Sequence, residues 1–220
     1  LARLARERGA LFHTDAVQVL GKLPFSFHEL SATYTVISGH KIGAPMGFGF
    51  LYAQNNSNFS NMATTKMKSF FDNQIIEKQK YLQLFLQIYK ERLKDLDQEK
   101  DRLSQIQTSF IQWLKQTFQY IVIFGEYSQR ISNTINFAIK NIEGESVLLA
   151  LDLQRIAASS GSACSSGALE PSHVITAMGY PPETAHGAVR LSFGKSTNTE
   201  EIEYLQTTLK DIILRLQTIH

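Results

Sequence analysis

Lys41 and Cys164 stand in settings that suggest chemistry rather than packing. Lys41 closes Ser38-Gly39-His40-Lys41, directly after the β-branched and aromatic run Tyr34-Thr35-Val36-Ile37. An amine at the end of a buried strand loses hydration, its pKa falls, and it becomes a usable base and Schiff-base nucleophile. A surface lysine on a Gly-rich loop fits these residues equally well. Cys164 is the single cysteine, set in Ser159-Ser160-Gly161-Ser162-Ala163-Cys164-Ser165-Ser166-Gly167. A lone cysteine is usually a small buried hydrophobe. Burial requires large apolar neighbours, and none stands within four residues of Cys164. The segment reads as an exposed, mobile loop whose thiol can ionise and attack.

Two further clusters carry polar groups at strand ends. His13-Thr14-Asp15-Ala16-Val17-Gln18 follows an apolar start, Ala10-Leu11-Phe12. Open α/β sheets build ligand sites at the C-terminal ends of parallel strands, although most strand-end aspartates only cap a turn. Arg190 interrupts the apolar run Ala188-Val189-Arg190-Leu191. It needs a carboxylate, and either a protein side chain or a substrate carboxylate held by two hydrogen bonds would serve. Gly194-Lys195-Ser196 imitates the end of a phosphate-binding loop, but Val189 occupies the position where that motif requires its first glycine. No helix-spaced histidine pair is present, so no metal site is expected.

The elements that must position these groups follow from periodicity and punctuation. Residues 1–8 read as a helix end, stopped by Gly9. Residues 10–16, 34–37 and 48–52 read as strands, the first of them buried. Residues after Gln54 turn polar and lose periodicity, which reads as a loop. Leu82, Phe85, Leu86, Tyr89, Leu93 and Leu96 recur at helical spacing, and Leu103, Ile106, Phe110, Trp113 and Leu114 resume the phase after Asp97. A second α/β region follows, with strands at 120–124 and 134–139 and a helix at 145–153. Residues 155–158 lead into another strand, and Pro171 opens a helix that Gly179 stops. The last helix begins with a capping box, Thr197-x-x-Glu200, and puts Ile202, Leu205, Leu209, Ile212 and Leu216 on one face. For the first of these regions an open α/β sheet is the expected architecture.

Composition narrows the function classes. The chain has 220 residues, 43% of them hydrophobic, enough for a substantial core. The formal charge of +2 gives no reason to expect nucleic acid or an anionic membrane as partner. No apolar run approaches the ~20 residues of a membrane span. One cysteine cannot build a disulfide framework, so a reducing, cytoplasmic setting is expected.

Several of these runs together resemble the cysteine desulfurases of the class V aminotransferase family, the group that supplies sulfur to iron–sulfur clusters. They are ALFHTDAVQVLGKLP, ISGHKIGAPMGFGFLY, NIEGESVLLALD, and SSGSACSSGALEPSHVITAMGY continuing to HGAVRLSFGKSTNTEEIE. The resemblance implies a pyridoxal-phosphate-dependent fold of type I: the C-terminal part of the large domain over 1–78, then a connecting helix and a small α/β domain over 79–220. It implies roles by position. Asp15 would pair with the protonated pyridine nitrogen and Gln18 with the ring hydroxyl. Ser38 and His40 would bind the cofactor phosphate, Lys41 would link the cofactor and then act as base, and Arg190 would hold the substrate carboxylate. Cys164 would take sulfur from L-cysteine as a persulfide and release alanine. A homodimer and a sulfur-acceptor protein, such as an iron–sulfur scaffold, are the implied partners. The resemblance breaks at residues 55–76, which contain no glycine where the family carries a glycine-rich stretch. The alternatives are an inactive relic that dimerises or binds an acceptor, or a related class V aminotransferase.

Overall fold

The computed structural model describes residues 1–46, 48–54, 75–160 and 171–218. They form mixed α/β structure in two compact units, Leu1–Gln98 and Glu99–His220. Each unit has its own three-stranded sheet, in line with the two α/β regions expected from sequence.

The first unit contains α1 (Ala2–Glu7), β1 (His13–Asp15), α2 (Phe27–Leu30), β2 (Tyr34–Ser38), a 3-10 turn (Gly39–Ile42), β3 (Gly49–Ala53) and α3 (Ile75–Lys94). β2 is central, parallel to β1 and antiparallel to β3. It earns that place by composition: Tyr34, Thr35 and Ile37 are buried. β1 is shorter than expected and lies at the sheet edge, so His13 and Asp15 are exposed rather than buried. The core joins Ala16, Leu20, Ile37, Ile42, Ala44 and Phe85. Phe85 comes from α3, with ring centroids 5.3 Å from Phe48 and 5.5 Å from Phe50. Phe85 thereby ties α3 to the first unit, which extends to Gln98. The long helical pattern breaks at Asp95, between α3 and α4 (Leu96–Thr117), close to the predicted phase change.

The second unit continues with β4 (Ile121–Ile123), β5 (Thr134–Ile139), α5 (Gly144–Leu153), α6 (His173–Ala177), α7 (Pro182–His186), β6 (Val189–Ser192) and α8 (Thr199–Thr218). β5 is central and antiparallel to both neighbours. Residues 155–158 lead to Ser159, which pairs with Arg190 in an isolated antiparallel bridge. The core gathers Phe110 and Leu114 of α4, Ile135, Phe137 and Ile139 of β5, Val147 and Leu151 of α5, and Leu205, Leu209 and Ile213 of α8. The predicted apolar face of α8 is therefore its packing face. Its cap lies one residue later than expected. Asn198 Oδ1 accepts from Glu201 N at 2.9 Å, and Glu201 Oε2 accepts from Asn198 N at 3.1 Å. Thr197 Oγ1 instead accepts from Gly194 N. Asparagine is the stronger cap, so the helix starts after it. No helix among the described residues is long and apolar enough to cross a membrane.

The start of α5 is fixed by a close backbone approach. A Cβ on Gly144 would sit 2.7 Å from Ala188 O and 2.9 Å from His186 O. Both obstacles are main chain, so neither can swing aside. Gly144→Ala is expected to destabilise the second unit by about 1–3 kcal/mol. Trp113, the only tryptophan, lies in that unit and reports its unfolding in a denaturant titration. An unshifted midpoint would contradict this packing.

Candidate active site

Asp15 and Ser38 end two neighbouring parallel strands, with Asp15 opposite Val36. Parallel strands bring their C-terminal ends to the same sheet edge, so the two polar clusters of the first unit converge there. Asp15 Oδ1 accepts from Val17 N at 2.8 Å, which turns the chain away from β1 and brings Gln18 into the following turn. The aspartate thus does cap a turn, and its carboxylate is exposed as well. Leu20 and Ala16 anchor the turn in the core while Gln18 stays exposed.

The 3-10 turn that carries Lys41 is built by alternation of burial. Gly39 and Ile42 are buried, and His40 and Lys41 face solvent. Gly39 N donates to Phe48 O at 2.8 Å, and Ala44 N donates to Gly39 O at 3.1 Å. Gly43 ends the turn at φ 91°, a left-handed conformation that glycine adopts without strain. Arg92 of α3 donates from Nε to Ile42 O at 3.2 Å, so the helix braces the turn from behind. Ser38 Oγ lies 2.7 Å from His40 Nδ1. That contact leaves Nε2 of the ring as its outward nitrogen. In place of the desolvated lysine considered from sequence, Lys41 is an exposed amine on a rigidly held turn.

Two cations near this turn had no part in the sequence reading. Lys22 is half-buried and donates from Nζ to Gln18 Oε1 at 2.5 Å. Burial pushes its amine below the usual lysine range, and the nearby charges of Lys41 and Arg92 push it the same way. The signal for Lys22 was its spacing, four residues after Gln18; Arg92 offered none, because it lies in a distant helix.

Arg190 belongs to the second unit. Val189 and Leu191 face the core, and Arg190 alternates to the other side of β6, where it is partly exposed. No carboxylate pairs with it among the described residues. Ser159 N donates to Arg190 O at 3.1 Å, and Arg190 N donates to Ser159 O at 2.7 Å. Ser159 opens the run that leads to Cys164. Cys164 itself lies outside the described residues, as do residues 55–74 of the glycine-free stretch. The false phosphate loop has a structural use: the Arg102 guanidinium donates to Gly194 O at 2.8 Å and to Thr197 O at 2.7 Å.

Comparison with known proteins identifies the family. The family model described as aminotransferase class-V matches residues 1–205. A cysteine desulfurase, IscS, of Dictyoglomus turgidum is 35% identical over 100% of this chain and 56% of its own length. The cysteine desulfurase NifS of Azotobacter vinelandii is also 35% identical, over 100% of this chain and 54% of its own. This chain therefore spans about half the length of the curated relatives it matches. Among solved structures, a NifS-like protein from Rickettsia africae superposes with a TM-score of 0.79 at 23% identity, covering 96% of this chain and 56% of that one.

Proposed function

Because this chain belongs to the aminotransferase class-V family, whose cofactor is pyridoxal 5'-phosphate, we propose that it forms part of a cysteine desulfurase active site. The observation that carries the proposal is the convergence of Asp15 with Ser38, His40 and Lys41 at one sheet edge. The donor set suits the cofactor. A carboxylate suits a protonated ring nitrogen, an amine suits an aldehyde, and a hydroxyl and imidazole suit a phosphate. When bound, the cofactor supplies an electron sink for negative charge at the substrate α-carbon.

The residues of this chain then divide the work. Asp15 holds the proton of the ring nitrogen. Gln18 hydrogen-bonds the ring oxygen, and Ser38 and His40 bind the phosphate. Lys41 would hold the cofactor through its amine, and its Nζ would serve as the base for the substrate α-proton. Arg190 pairs with the carboxylate of L-cysteine. The Cys164 thiolate attacks the substrate sulfur. An S–S bond forms as the C–S bond breaks, the electron pair stays with carbon and is protonated, and alanine leaves. The persulfide on Cys164 is then passed to a sulfur-acceptor protein, such as an iron–sulfur scaffold. A homodimer in a reducing, cytoplasmic setting is part of the same reading.

The test is turnover of L-cysteine by the cofactor-loaded protein, with alanine and protein-bound sulfane sulfur both measured. Cys164→Ser is expected to abolish sulfane transfer while leaving the cofactor bound. Undiminished sulfur release from this variant would remove Cys164 from the mechanism. Amino transfer to a keto acid with no sulfur release would identify the chain as an aminotransferase instead.

A further inference from the structure

Lys22 is a half-buried amine whose one described hydrogen bond is to the side-chain oxygen of Gln18. An ammonium group can only donate, so this contact decides which way the Gln18 amide faces. With Lys22 on Oε1, the Nε2 donors of Gln18 are the groups turned away from Lys22 and free for an approaching ligand. A charged donor on the carbonyl oxygen also polarises the amide and strengthens those N–H groups. Gln18 is exposed, four residues from its partner, in the turn that Asp15 begins. The group it presents is thus fixed by a neighbour that itself lies partly in the protein.

We propose that Lys22 is a positioning residue for the cofactor: it locks the Gln18 amide as a donor aimed at the cofactor's anionic ring oxygen. This rests on the reading of the site given above. The energetic logic supports it. Lys22 sits among like charges, with Lys41 and Arg92 both close enough to disfavour its protonated form. Its partner is a neutral amide, which compensates a desolvated ammonium less well than a carboxylate would. A residue chosen for stability alone would be uncharged here, because methionine fills the same space without the desolvation. The anionic oxygen of a bound cofactor, reached through Gln18, would make the excess positive charge favourable.

The experiment is a titration of the apoprotein with pyridoxal 5'-phosphate, followed by visible absorbance, in a double-mutant cycle. Lys22→Met keeps the methylene packing and removes the donor. It is expected to weaken cofactor binding about five- to tenfold. Lys22→Arg keeps the donor and should stay within about twofold of the parent. In a Gln18→Leu background, Lys22→Met should cost nothing further, because its effect is routed through the amide. Unchanged binding in Lys22→Met overturns the inference, as does an equal loss with and without Gln18. Equal losses in Lys22→Met and Lys22→Arg also overturn it, since they indicate packing alone. If the parent protein itself binds no cofactor, the reading of the whole site falls; if it binds and Lys22→Met matches it, only the role of Lys22 falls.

Discussion

Lys41→Ala is expected to remove the visible absorbance of the bound cofactor and to cut L-cysteine turnover by at least about 10²–10⁴-fold, the usual share of a positioned acid–base group. The loss should be chemical and not structural. Lys41 is exposed, and the turn that carries it is held by buried Ile42, by the Gly39–Phe48 hydrogen bond and by Arg92 on Ile42 O. None of these involves the lysine side chain. Stability should therefore stay within about 0.5 kcal/mol of the parent, as for other surface substitutions. Ile42→Ala makes the useful contrast. Ile42 is 2% exposed in the first core, and truncation there should cost about 2–5 kcal/mol. It would loosen the turn and weaken the cofactor with Lys41 still present. A Lys41→Ala protein that keeps both the band and the turnover would mean that the amine at this sheet edge is not the one the cofactor uses.

Much of this site was legible because its signals are local. Glycines bracketing Lys41 mark a tight turn, and Tyr34 to Ile37 mark the strand that feeds it; both are properties of adjacent residues. The edge position of β1 was not legible. A short run such as Ala10-Leu11-Phe12 reads as buried when only its own hydrophobicity is counted, while exposure depends on whether a further strand covers it. The exposure of Lys41 is of the same kind, since it depends on which turn residues the core selects, and the core selected Gly39 and Ile42. Arg92 shows the limit most clearly. It braces Ile42 from a helix fifty residues away, and nothing in its own neighbourhood announces the contact.

The strand order within each sheet was not legible for a related reason. Strand periodicity shows that a segment is extended, and it does not say which segment it pairs with. β5 finds β4 and β6 because all three bury the same apolar face. Ile123, Phe137 and Val189 are cross-strand neighbours in one row, each 5% exposed or less. Arg190 follows Val189 along β6 and so emerges on the opposite face. The exposure of a candidate substrate-binding arginine is in this sense a consequence of the register that buries Phe137.

That coupling gives the other large effect. Phe137→Ala empties the centre of the row, and the flanking main chain, paired on both sides, can collapse very little. Its cost should be about 3–5 kcal/mol, a large part of the 5–15 kcal/mol typical of a whole domain. The thermal midpoint of the second unit should fall by roughly 10–20 °C. Trp113 provides the readout. Its ring lies 5.2 Å from Phe110 and 5.7 Å from Phe118, so its fluorescence follows the core to which Phe137 also belongs. Tyr127→Ala serves as control, because Tyr127 is 95% exposed and its loss should move the midpoint very little. If Phe137→Ala unfolds like the control, β5 is not the centre of its sheet. The register that turns Arg190 outward, and with it the carboxylate-binding role, would then have to be abandoned.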